Sequence, residues 1–289
     1  MKGNKAVKLQ RKGQNEEAIR LYEEAFSEGL NDPRFMMPYA LLIIRDGQYQ
    51  KAREFLVAHQ KAPGMTQQQR VELMVYYATC CFRLGNVDKG VSTLEQQFRK
   101  TETGLIYQTL GYLYVEQLDQ ARDPGLDYAS ILAQSQAEQA GQEAAEPPAE
   151  EEEAGEKPEE GSAEETAAEP ETPGKTWLAG VRKAEAFIRK SLEYDDEDPI
   201  CLDNMGQFVY RVLGDKAAAR EWFDKAIALK PGQIDTLWFL SRYDEEAGDR
   251  QGALEKLETA AEGRFSPLNF CDREKALEEI ARLKGETEA

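Results

Sequence analysis

The sequence predicts an all-α solenoid of about six stacked helical hairpins, with a C-terminal capping helix and one acidic insert. Three observations predict it. A glycine followed five residues later by a small residue recurs along the chain: Gly13 and Ala18, Gly47 and Ala52, Gly85 and Gly90, Gly214 and Ala219, Gly248 and Ala253. Ala18 to Ala52 and Ala219 to Ala253 each span 34 residues, the spacing of a helix-turn-helix unit, while Gly47 to Gly85 spans 38 because of the stretch at Pro63 and Gly64. Between these marks, apolar residues recur at helical spacing and not at strand spacing.

Each unit needs two short amphipathic helices, a glycine at the turn between them and small residues where the helices cross. In the second, third and fourth units the first helix places Met36, Tyr39, Ala40 and Ile43, then Met74, Tyr77, Ala78 and Cys81, then Tyr107, Leu110, Gly111 and Tyr114 at i, i+3, i+4 and i+7. The second helix of the fifth unit sets Ala219, Phe223 and Ala226 on one face and is ended by Pro231. Within that unit one residue too many separates Gly206 from Gly214, so its first helix is expected to be shifted or bent. From Ser266 and Pro267 to Lys284, a helix-start signal precedes a face of Ala276, Leu277, Ile280 and Ala281, which reads as the cap a solenoid needs to cover its last repeat.

The fourth unit is interrupted between Tyr114 and Trp177. Residues 134–174 hold 14 Glu and one Lys, which account for −13 of the formal charge of −18 and leave the rest of the chain nearly ordinary. Ala, Glu, Pro and Gly there cannot bury enough apolar area to offset ordering entropy, so the segment is expected to be disordered. Trp177, Val181, Ala184, Ile188 and Leu192 then resume a helical face and supply the missing second helix. The insert reads as a solubilising loop, tolerated because closure cost grows slowly with length, or as a regulatory polyanion beside basic groove residues. The boundaries that follow are 1–117 for units one to three and the first helix of unit four, 118–175 for the insert, 176–265 for the remaining units, and 266–289 for cap and tail.

These residues resemble the tetratricopeptide-repeat family, whose pattern is W-x2-L-G-x2-Y followed by A-x3-F-x2-A-x4-P. Tyr107 to Tyr114 and Ala219 to Pro231 match it best, with Asn204-Met205-Gly206 and Leu213-Gly214-Asp215 close to the family's wording. The sixth unit departs, placing Ser241 and Asp244 where a small residue and an aromatic are usual. The resemblance implies a right-handed superhelix that holds a polypeptide in its concave groove. Aligned on Ala40 and Ala78, the groove positions are Arg34, Met37, Leu41, Ile44 and Arg45 in unit two, Val75, Thr79, Phe82 and Arg83 in unit three, and Tyr112 and Val115 in unit four. Tyr210, Arg211, Trp238 and Arg242 follow in units five and six. An apolar strip edged by arginines suits a segment with hydrophobic anchors and a few carboxylates.

One family subtype grips the acidic C-terminus of chaperones with a carboxylate clamp. Gly3-Asn4-Lys5-Ala6 is similar to its opening but lies three residues early, Pro38 replaces the second unit's Asn, and Glu72 and Tyr76 replace the third unit's Lys and Arg, so no clamp ligand is expected.

No catalysis, cofactor or metal is expected either. His59 is the one histidine, and neither H-E-x-x-H nor G-x-S-x-G nor a glycine-rich phosphate loop occurs. Cys80, Cys81, Cys201 and Cys271 form no C-x-x-C pair, which suits a reducing compartment. A pI near 4.7 argues against nucleic acid, its one basic cluster being Lys2, Lys5, Lys8, Arg11 and Lys12. No run reaches the roughly 18–20 apolar residues of a membrane span and no signal peptide opens the chain, so a cytoplasmic scaffold is expected. Two alternatives remain at this stage: a scaffold anchored by a helix upstream of Met1, for which the lysines would form the cytoplasmic flank, and an insert that itself binds a basic partner.

Overall fold

The computed structural model describes residues 2–145 and 172–285, with the backbone alone for 138–145. Helices pair in sequence order: α1 (Lys2–Arg11) with α2 (Asn15–Ser27), α3 (Pro33–Arg45) with α4 (Tyr49–His59), and α5 (Gln67–Arg83) with α6 (Val87–Phe98). The fourth pair is α7 (Gly104–Gln120) with α9 (Pro173–Tyr194), between which lies α8 (Tyr128–Ala145). The fifth joins α10 (Pro199–Gln207), continued by a π-helical stretch Phe208–Leu213, to α11 (Lys216–Leu229), and the sixth joins α12 (Ile234–Glu246) to α13 (Arg250–Glu262). A last helix, α14 (Arg273–Lys284), packs on α13. The described residues contain no strand and no helix long and apolar enough to cross a membrane.

The chain makes these elements for local reasons. Gly13, Gly47, Gly85, Gly214 and Gly248 all lie at φ between 75° and 81°, the left-handed conformation that turns one helix into the next and that favours glycine. Helix starts are fixed by side-chain caps: Thr66 and Gln69 form a reciprocal capping box, and Asp198 accepts from the amides of Ile200 and Cys201 ahead of Pro199. Small residues sit where helices meet: a Cβ on Gly90 would come 3.0 Å from the Ala78 carbonyl oxygen. Two apolar clusters result. One joins α1 to α5 through Tyr22, Met36, Ile43 and Leu56; the other runs from α5 to α14 through Leu110, Trp177, Phe208, Phe223 and Leu257. α5 serves both, giving Leu73 and Cys80 to the first and Val75 and Ala78 to the second.

Three expectations change. The insert expected over 118–175 is helical from Tyr128 to Ala145, where Tyr128 packs at a tilt against Trp177 with ring centroids 4.4 Å apart and Ser135 accepts from Arg182 at 2.9 Å. The disorder expected for 134–174 otherwise falls on 146–171, outside the described residues, and α9 already starts at Pro173 with Thr172 as its cap. The cap helix begins at Arg273 behind Asp272, because Ser266 and Pro267 lie in a non-helical segment; Leu277 is exposed, and Ala276, Ile280 and Leu283 make the buried face.

Candidate functional site

The first helices converge on one cavity of about 450 Å³. Leu41 and Ile44 come from α3, Val75, Tyr76 and Thr79 from α5, Leu105, Gln108, Thr109 and Tyr112 from α7, Ile200, Asp203 and Asn204 from α10, and Ile234 and Asp235 from α12. Arg264 and Ser266 to Asn269, in the segment between α13 and α14, form the remaining wall. The surface mixes apolar side chains with amides and hydroxyls. Several polar groups are held by their neighbours: Gln108 Nε2 donates to Asp198 at 2.5 Å, Asn204 Nδ2 donates to the Gln108 carbonyl at 2.8 Å, and Thr79 and Thr109 turn their hydroxyls back to the carbonyls of Val75 and Leu105.

Two buried aspartates lie in the wall. Asp235 accepts from Asn269 Nδ2 and from the amides of Phe270 and Cys271 at 3.0–3.1 Å, so it ties the crossing segment to α12. Asp203 accepts from the Thr236 hydroxyl at 2.5 Å and from Gln207 at 2.7 Å. Burial pushes both carboxyls above the ordinary carboxylate range; the charge of Asp235 raises Asp203 further, while the donors on each pull it back. Beside them, Arg211 donates to Glu116 and Asp119, each at 2.7 Å, and its guanidinium lies 4.1 Å from the centroid of Phe270. Burial opposes its charge, but the two carboxylates more than offset that and hold its pKa above the ordinary guanidinium value.

Of the positions expected at the groove, Leu41, Ile44, Val75, Thr79 and Tyr112 line this cavity. Arg34 and Met37 line a neighbouring depression with Pro38, Leu41 and Tyr76, and Arg34 is paired with Asp32. Phe82 packs edge-on to Tyr112, with ring centroids 5.7 Å apart, while Arg45 and Arg83 are exposed, Arg83 over the Tyr49 ring. Val115 is not at the groove surface. It is 0% exposed in a stretch of α7 buried throughout from Gly111 to Glu116, because α9 packs on this helix from one unit and α10 from the next. Tyr210 packs among Phe223, Phe239 and Tyr243, and Arg211, Trp238 and Arg242 are engaged by the crossing segment and α14 through Phe270, Lys275 and Glu279.

Sequence reasoning missed Leu105, Gln108, Thr109, the aspartates and the crossing segment. A single Asp inside each of the apolar runs that open α10 and α12 was the available signal. The histidine and cysteines have ordinary surroundings. His59 Nδ1 lies 2.8 Å from the Phe55 carbonyl, all four thiols are buried, and burial pushes those of Cys80, Cys201 and Cys271 up to about 12. Among the described residues no group of His, Cys, Asp or Glu could hold a metal ion.

Known proteins share this architecture. Residues 11–97 match the family described as anaphase-promoting complex, cyclosome, subunit 3, and residues 204–233 match the tetratricopeptide repeat. No curated protein matches the sequence. Among solved structures, the thermophilic repeat protein TTC0263 of Thermus thermophilus is 13% identical with a TM-score of 0.57, over 88% of this chain and 99% of that one. The human IFIT1 dimer solved with m7Gppp-AAAA is 14% identical with a TM-score of 0.56, over 93% of this chain and 49% of that one. The Cut9–Hcn1 hetero-tetramer of the anaphase-promoting complex is 11% identical with a TM-score of 0.54, over 97% of this chain and 42% of that one. Paired helices, the turn glycines and these matches define a helical-repeat fold of the tetratricopeptide type.

Proposed function

We propose that this chain is an interaction scaffold that holds a polypeptide segment against its concave face, with the central cavity as the anchor site. The observation that supports this reading most is the cavity itself: five successive first helices contribute to its wall, and it joins apolar surface to oriented amides and hydroxyls. A side chain entering it would bury against Leu41, Ile44 and Leu105, while the segment's backbone would find polar groups such as Gln108 and Asn204. The likeness to a protein solved with capped RNA concerns the fold at 14% identity.

A photo-crosslinking amino acid placed at Leu105, which is 38% exposed in the cavity wall, is expected to capture a polypeptide in the source cell. The same probe at Val57, 47% exposed on the second helix α4, is expected to capture none. Adducts from Val57 and not from Leu105 would move the binding surface to the second helices and refute the groove reading.

A further inference from the structure

The cavity carries basic side chains for which the described residues offer no ion-pair or hydrogen-bond partner. Arg264 and Lys230 are in its lining, and Arg45 follows the lining residue Ile44. Other arginines on this face are paired: Arg34 with Asp32, Arg211 with Glu116 and Asp119, Arg242 with Glu245 and Glu279. Arg45 and Arg264 belong to distant parts of the chain, the end of α3 and the segment after α13, yet they are close enough for Arg264 to add to burial in disfavouring charge on Arg45. Two guanidiniums close enough to feel one another repel, and neither buried aspartate of the wall forms an ion pair with them. The oxygens of Asp235 are taken by Asn269, Phe270 and Cys271, and those of Asp203 by Thr236 and Gln207. In a chain of 54 acidic and 36 basic residues, two neighbouring arginines without an ion-pair partner among the described residues run against the general balance.

We propose that the bound segment supplies the missing counter-ion: an Asp or Glu side chain seated between Arg45 and Arg264, next to a large apolar side chain that fills the cavity against Leu41, Ile44 and Leu105. This rests on the groove reading above and names the chemistry of its ligand. The residues are not those of the chaperone clamp, since Arg264 lies outside the repeats. Guanidinium is suited to the role because it can grip a carboxylate with two parallel hydrogen bonds. The carboxylate would also link the second unit to the segment that crosses the last two, so binding would bridge both ends of the superhelix.

The test is selection from a bead-displayed library of short peptides with blocked ends, using the full chain. The intact protein is expected to enrich Asp or Glu beside a large apolar residue. Arg45 and Arg264 are both exposed, so R45E/R264E is expected to keep its helical circular dichroism, to bind the selected acidic peptides about tenfold or more weakly, and to enrich Lys or Arg instead. Enrichment of apolar peptides with no acidic preference, or an acidic preference that survives R45E/R264E, would overturn this inference and leave the groove reading standing. No enrichment, or enrichment that L105E leaves unchanged, would overturn the groove reading and this inference with it.

Discussion

Gly206 sits where α10 meets α11, and a Cβ there would fall 2.6 Å from the ring of Phe223. Phe223 is 0% exposed and stacked on Phe239 with centroids 4.9 Å apart, so it has no room to retreat. G206A gains helix propensity but is expected to lose about 1–3 kcal/mol net through overpacking, read as a lower urea midpoint at unchanged slope. The glycine was legible in the sequence because its position in a repeating pattern marks a crossing. Asp203 was not, since an aspartate on a first helix ordinarily faces water. Its folded-state carboxyl holds a proton at higher pH than in the unfolded chain. Its contribution is therefore fully present below the ordinary value of 3.8 and is lost as pH rises from there toward neutrality. D203N keeps an acceptor for Thr236 and cannot ionise. Its stability relative to the parent chain is expected to rise by about 1–2 kcal/mol between pH 4.5 and 7.5 in paired urea titrations, and a constant difference would show that Asp203 does not change protonation there.

At the scale of elements, the extra residue between Gly206 and Gly214 does not displace the fifth unit. It is absorbed by the π-helical stretch Phe208–Leu213, which lets Gly214 keep its turn at φ 76°. The last carbonyls of this stretch have no partner within the helix, and Arg122, just beyond α7, donates to those of Arg211 and Val212 at 2.7 and 2.8 Å. R122A is expected to cost about 1 kcal/mol and to speed amide exchange after Gly214 more than in α3. Hairpin elements were legible because each is specified locally, by a turn glycine, a cap and a periodic face. Two elements were not. α8 lacks the flanking signals of a repeat and is held by tertiary contacts, Tyr128 on Trp177 and Ser135 with Arg182. The segment 263–272 follows the concave face because Asp235 accepts its amides, a long-range bond that no local pattern announces; Ser266 and Pro267 read as a helix start for want of that information. The cavity was half legible for the same reason: its walls from α3 and α5 follow from repeat position, and its last wall depends on where this segment comes to rest.

For the whole molecule, stability in such a stack is a sum over neighbouring units, so damage at one end should stay near that end. α14 closes the stack. It buries Ala276, Ile280 and Leu283 and ties itself to α12 through Arg282 with Glu245 and Glu279 with Arg242. Burying a large apolar side chain contributes about 1.5–3 kcal/mol, more than a solvent-accessible ion pair such as Arg282 with Glu245, so the apolar face carries most of the cap's effect. I280D/L283D is therefore expected to release α14 while leaving Asp235 bound to the amides of Phe270 and Cys271. Hydrogen exchange should accelerate in α13 and α12, fade across α10 and α11, and remain unchanged in α3 and α4, whose core of Tyr22, Met36 and Ile43 belongs to the other apolar cluster. If exchange rose equally in all units, the chain would unfold as one cooperative body. α5, which gives one face to each cluster, would then be the coupling element, and the distant Arg45 and Arg264 would already be joined mechanically before any ligand bridged them.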